Sequence, residues 1–196
     1  TASSASLPVV TPPSASWVTP IGDGLEVKTN ECGTDDAVSG GYGTWNTLYG
    51  VNQEVYCSVS AMIAADSSVI RLRSLTALSI TDWYELDAVA VVGSNNDIFQ
   101  FWKTVGGVFT QLGADVALGV DLTAGDQSGL RVVGSTLEAF LNGASQGTRT
   151  DGDLSGPGFI GLAMNTITVR LDDFGGGTVQ SSLVRRDRSF DHMIVR

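Results

Sequence analysis

Glu85 and Asp87 fall within a run of β-branched and aromatic residues from Trp83 to Val92, where strand alternation puts both carboxylates on one face. Cleaving a glycosidic bond needs a carboxylic acid and a carboxylate across that bond, roughly 5 Å apart for retention and wider for inversion. No catalytic residue is assigned to this pair, since short Glu-x-Asp matches also arise by chance in strands. His192 is the single histidine, which removes most Ser-His, Cys-His and histidine-metal schemes. Cys32 and Cys57 allow one disulfide or two free thiols, but neither a disulfide framework nor a four-ligand zinc site. The pairs Asp151 and Asp153, Asp172 and Asp173, and Asp35 and Asp36 offer hard oxygen ligands of the kind calcium accepts. Each pair reads more simply as solvated turn carboxylates, so no metal ligand or cofactor is assigned and calcium stays an open option.

Sugars are held by an aromatic ring under the apolar face of a pyranose and by polar groups at its hydroxyls. Trp45, Tyr49, Trp83, Tyr84 and Trp102 are available, and Trp45, Trp83 and Trp102 are the candidate glycan contacts. Most aromatics in a sheet protein nevertheless belong to its core. Phe99 and Phe101 point opposite to Gln100 and Trp102, so one of these pairs must leave the core or meet a second layer. Gly40 to Gly43 is glycine-rich but opens no helix, which defeats a phosphate-loop reading.

The elements that must position these groups are strands. Leu25 and Val27 alternate with Glu26 and Lys28, and the segment 55–63 places Val55, Cys57, Val59, Ala61 and Ile63 on one face that should be core. Residues 69–73, 83–92 and 98–103 follow, and Gly106-Gly107 then breaks the pattern as a hairpin turn would. Segments 130–133 and 136–141 are separated by Gly134-Ser135, and Asn142-Gly143 is a strong two-residue hairpin signal leading to a return strand from Ala144. Segments 159–164 and 167–174 complete the series, the last with Ile167, Val169 and Leu171 on one face. No segment makes a long amphipathic helix. About ten short strands without helical crossovers imply antiparallel sheets packed as a sandwich or jelly roll.

Composition supports this reading, with 42% hydrophobic residues, 16% charged residues and 24 glycines in 196 residues. A net charge of -10 argues against nucleic-acid binding, which needs cations to replace phosphate counterions. No run of about 18 apolar residues marks a membrane span, and the first residues lack the basic and apolar regions of a secretory signal, which allows cytosolic synthesis. Three regions are expected. Residues 1–23, rich in Ser, Thr, Ala and Pro, form an extended arm or linker; residues 24–178 form the sandwich; residues 179–196 form a locally basic tail. Arg185, Arg186 and Arg188 in that tail are candidate assembly contacts.

The stretch from Gly129 to Gly143, then Gly156-Pro-Gly-Phe-Ile-Gly161 and Val169-Arg-Leu-Asp-Asp-Phe174, resembles the late strands of concanavalin A-like lectin/glucanase domains, including laminin-G-like jelly rolls. The resemblance covers residues 129–174 well and 55–128 in rhythm, and it implies two stacked antiparallel sheets of roughly six strands each. The glucanase branch carries Glu-x-Asp-x-Glu on one strand. Glu85-Leu86-Asp87 begins that motif, but its closing position holds Val89, or Ala90 where the spacing is one residue longer, so the resemblance implies a missing acid/base and hydrolysis is not expected.

The fold class is thus all-β, a two-sheet antiparallel jelly-roll sandwich of concanavalin A-like type. Such a fold implies no activity by itself. The leading expectation is a non-enzymatic structural or adhesive module, specifically a bacteriophage virion surface protein whose arms dock on neighbouring subunits or copies of itself. The alternative is a carbohydrate-binding module of a secreted bacterial enzyme, contacting glycan, with residues 1–20 as linker. A third is a diverged glycoside hydrolase using Glu85 and Asp87 with an acid from elsewhere.

Overall fold

The computed structural model describes residues 5–6, 17–18, 25–28, 31–34, 40–77, 81–93 and 96–179. All named elements are strands, and every pairing is antiparallel. One sheet, called A, runs β1 (Ala5–Ser6), β3 (Leu25–Lys28), β4 (Glu31–Thr34), β16 (Arg170–Thr178), β6 (Gln53–Ala61), β12 (Gln127–Val133), β13 (Thr136–Leu141), β14 (Ala144–Thr150). The other, B, runs β10 (Val108–Gln111), β9 (Ile98–Val105), β8 (Trp83–Val89), β7 (Ser67–Ser74), β15 (Phe159–Met164), β5 (Gly41–Trp45), β2 (Trp17–Val18), with β11 (Val116–Ala117) also on β9.

Alternation explains why the sheets stack. Val55, Cys57, Val59, Leu130, Val132, Leu137 and Ala139 of sheet A are buried against Ile70, Leu72, Tyr84, Leu86, Phe99, Phe101, Ile160 and Leu162 of sheet B. Burying each large apolar side chain contributes about 1.5–3 kcal/mol, which fixes register, since a one-residue slip would turn a whole strand inside out. The two glycine-bearing hairpins form as read. Gly106 and Gly107 have φ of 57° and 81°, and Asn142 and Gly143 have 51° and 78°, the positive values a type I′ turn needs.

Three expectations at strand ends are corrected. Ala61 and Ile63 do not join the core: β6 ends at Ala61 and Ile63 is 59% exposed. Asp66 causes the departure, because its carboxylate accepts the Ile63 backbone N–H and the Thr166 and Thr168 hydroxyls, closing a turn instead of extending the ladder. Ile167 lies in a turn and is exposed, and the last strand starts only at Arg170, with Val169 and Leu171 on either side of it buried in the core. The run from Trp83 leaves its strand after Val89, where Asp97 accepts the Val91 and Leu122 backbone N–H groups and draws the chain away.

One buried cation ties the rim loops together. Arg73 sits at a bulge where β15 skips register against β7, with φ of 51° and 1% exposure. Its guanidinium donates to the carbonyls of Val51, Leu154 and Gly134 at 2.6–2.9 Å. Its backbone N–H donates to Gln53 Oε1, whose amide donates to the Gly158 carbonyl.

Cys32 and Cys57 are free thiols. They lie on β4 and β6 with β16 between them, about two strand spacings or ~9.6 Å apart, beyond the span of a disulfide. Burial pushes both thiols up to about 12, which keeps them protonated and unreactive.

Candidate functional site on the outer face of sheet B

Because Leu86, Phe99 and Phe101 point inward, the alternate residues of β8 and β9 stand on the outer face of sheet B. Register aligns Arg71, Glu85, Trp102 and Gln111 in one row across β7, β8, β9 and β10. The neighbouring row holds Val69, Asp87 and Gln100. Trp83 and Trp102 occupy diagonal positions on adjacent strands, since Trp83 pairs with Thr104.

The face divides into two clusters. In the first, Glu85 Oε2 accepts from Arg71 Nε at 2.8 Å and from Trp83 Nε1 at 2.7 Å, and Glu85 is 3% exposed. The Arg71 guanidinium lies 4.5 Å from the Trp83 ring centre and 5.4 Å from that of Tyr42. Glu85 is therefore an anchored carboxylate, committed to an ion pair. In the second cluster the Trp102 and Phe109 rings stack at 4.4 Å with 7° between their planes. Phe109 is 50% exposed. Beside the stack, Asp115 Oδ1 accepts from the amides of Gln100 and Gln111 at 2.9 and 2.6 Å.

Asp87 lies between the clusters. Its Oδ1 is buried without a hydrogen-bond partner, and burial first, then the Glu85 charge, push its carboxyl up to about 8. It is held protonated at neutral pH and can donate a hydrogen bond. The strand continues on this face at Val89, so no second free carboxylate stands across from Asp87 on β8.

The other sequence-derived candidates lie elsewhere. Trp45 points inward at the sheet edge, its ring 5.5 Å from Trp17, which itself stands 4.7 Å from Phe174. A cleft of about 170 Å³ opens beside it, between Tyr49, Ile160 and Phe174. Tyr84 is wholly buried, donates to Asp151 Oδ1 and is pushed up to about 12 by burial and by that carboxylate. Asp151 and Asp153 both receive the Lys103 ammonium, at 2.5 and 2.6 Å. Burial alone would raise Asp151, but the ammonium and the Tyr84 hydroxyl hold it below the usual carboxylate range. Asp172 accepts the backbone N–H of Asp173 at a bulge of β16. Among the described residues no three His, Cys, Asp or Glu groups gather to hold a metal ion. Asp35, Asp36, Arg185, Arg186, Arg188 and His192 lie outside the described residues. Within the expected N-terminal arm, Ala5–Ser6 pairs with β3 and Trp17–Val18 with β5 of the same chain.

Sequence reasoning overlooked Phe109, Gln111 and Asp115. The signal was present for the first two: a two-residue turn at Gly106-Gly107 forces Val105 opposite Val108, which sets Phe109 and Gln111 beside Thr104 and Trp102.

No protein-family model matches the sequence, and no curated protein matches it. Solved structures do match. The fold is similar to the carbohydrate-binding module CBM66 from Bacillus subtilis, with a TM-score of 0.65 and 11% identity over 83% of this chain and 95% of that one. It is similar to the potassium-bound carbohydrate recognition domain of Emp46p, with a TM-score of 0.58 and 10% identity over 84% and 89% of the two chains. A prokaryotic β-1,3-1,4-glucanase derived from a mouse hindgut metagenome gives 0.56 and 12% over 83% and 92%. The chain has a concanavalin A-like jelly-roll fold. These likenesses give the virion-surface expectation no support.

Proposed function

We propose that the chain is a non-catalytic carbohydrate-binding module that takes saccharide on the outer face of sheet B. The observation carrying this reading is the half-exposed Trp102–Phe109 stack bordered by the Gln100, Asp115 and Gln111 hydrogen-bonding string. A pyranose presents an apolar face to such rings and hydroxyls to such amides and carboxylates. Two of the similar structures bear carbohydrate-binding descriptions, which favours the same ligand class here. Catalysis is disfavoured because Glu85 is bound to Arg71 and Trp83, and because β8 lacks the third acidic position of the glucanase pattern. The glucanase likeness is a likeness of fold.

Isothermal titration with the best-binding oligosaccharide tests the assignment. Trp102→Ala and Gln100→Ala each weaken affinity by about tenfold or more while Trp45→Phe leaves it unchanged. Undiminished binding in folded Trp102→Ala would remove this face as the site.

A further inference from the structure

Gly129 stands in the middle of β12, where a glycine weakens a strand by its entropy and its missing side chain. The backbone does not demand it. Gly129 has no positive φ, and a Cβ built there meets the Phe140 Cβ at 3.4 Å and its ring Cδ2 at 3.9 Å, both ordinary contacts, with the residue itself buried among its neighbours. A mid-strand glycine without a bulge or a positive φ is often found where a ligand or another chain segment comes close to the sheet.

Its neighbours define that place. Register sets Gly129 between Tyr56 on β6 and Phe140 on β13, and alternation along β12 sets it between Gln127 and Arg131. Four side chains thus surround one that is missing, leaving a pit of about 240 Å³ on the outer face of sheet A, with Glu54 at its Arg131 end. Tyr56 and Phe140 are rooted about two strand spacings, ~9.6 Å, apart. A second glycine keeps the gap open. Gly175 faces Tyr56 from β16, and a Cβ there would strike the tyrosine ring, so the ring lies over Gly175 and lines the pit from its side.

The polar rim is divided. Arg131 is occupied, with its guanidinium bonded to Glu138 at 2.6 Å and 4.6 Å from the Phe140 ring centre. The Glu54 carboxylate and the Gln127 side-chain amide have no hydrogen-bond partner among the described residues. Two aromatic side chains at the rim, a glycine floor, a carboxylate and an amide fit a ring that is apolar on its faces and hydroxylated at its edge. We infer that this pit is a second saccharide site, taking one pyranose unit on the face opposite the Trp102 site. The two sites stand on separate sheets, so this inference does not depend on the Trp102 assignment.

Backbone-amide NMR of the whole chain, titrated with methyl β-D-glucopyranoside, methyl β-D-galactopyranoside and methyl α-D-mannopyranoside, tests it. At least one glycoside shifts the Tyr56, Gln127, Gly129 and Arg131 signals, and these shifts survive in Trp102→Ala. Gly129→Leu fills the pit and weakens that binding by about tenfold or more. If that variant fails to fold, Tyr56→Ser, which removes one wall from the exposed surface, gives the same loss. Gly129→Ala unfolds at a higher denaturant concentration than the parent, because its glycine serves no backbone need. No shift at these four residues with any of the three glycosides, full binding by folded Gly129→Leu or Tyr56→Ser, or a lower midpoint for Gly129→Ala would overturn the inference.

Discussion

Replacing Arg73 with methionine keeps an unbranched stem in place and removes only the cation that joins three rim segments. The guanidinium supplies the side-chain partners of the Val51, Leu154 and Gly134 carbonyls, and its bond to Leu154 is fully buried. An orphaned buried acceptor costs about 1–3 kcal/mol. Water reaches the partly buried Val51 and Gly134 carbonyls more easily, so the loss is about 2 kcal/mol at Leu154 and about 1 at each of the others. Relief from holding a desolvated cation returns part of this, leaving a net loss of about 3 kcal/mol against a total stability of about 5–15. With a urea slope of about 2 kcal/mol/M, the midpoint falls by about 1.5 M. Urea unfolding followed by tryptophan fluorescence reads this directly. A midpoint within about 0.3 M of the parent would refute the claim that this clamp holds the loops.

Asp87 sets a pH dependence. Its folded pKa is raised, to about 8, so the folded chain keeps a proton that the unfolded chain gives up; the contribution of Asp87 to stability is greatest below the ordinary carboxylate range and declines as pH rises toward about 8. Asp87→Asn removes this decline, and parallel unfolding midpoints across that window would show instead that Asp87 ionises normally. Lys103→Met leaves Asp151 and Asp153 without their ammonium and costs about 2 kcal/mol, of which Lys103→Met with Asp151→Asn recovers part in a thermal-melt comparison. Buried Cys57 reacts with a maleimide only after unfolding, and reductant leaves the melting curve unchanged; a reductant-sensitive melt would contradict the separation of Cys32 from Cys57.

Much of the sandwich is legible in the sequence where alternation is long and turn chemistry is strong. The hairpin at Asn142-Gly143 follows from two residues that tolerate positive φ, whereas the alternation at 98–103 left open which pair turns inward, a choice the structure makes for Phe99 and Phe101, which bury the greater apolar surface. Short strands such as Glu31–Thr34 and Gly41–Trp45 carry too few apolar residues to declare themselves, and their pairing is a tertiary effect. Strand ends went astray where a distant carboxylate captures a backbone N–H, as Asp66 does at Ile63 and Asp97 at Val91. The Arg73 clamp left no periodic signal, since one arginine in an alternating strand reads as solvated until a bulge turns it inward. The pairing of Trp83 with Trp102 on one face follows from strand order, while the inward turn of Trp45 depends on β2 closing the sheet edge beside it.

The central claim is that this jelly roll holds saccharide without cutting it. A glycan array with the wild-type chain, followed by incubation of every bound glycan with excess protein and assay for new reducing ends, tests both halves at once. The account predicts reproducible retention of at least one glycan family, lost in Trp102→Ala, with no reducing ends released. Absence of any glycan signal, or release of reducing ends that stops in Glu85→Gln, would contradict it.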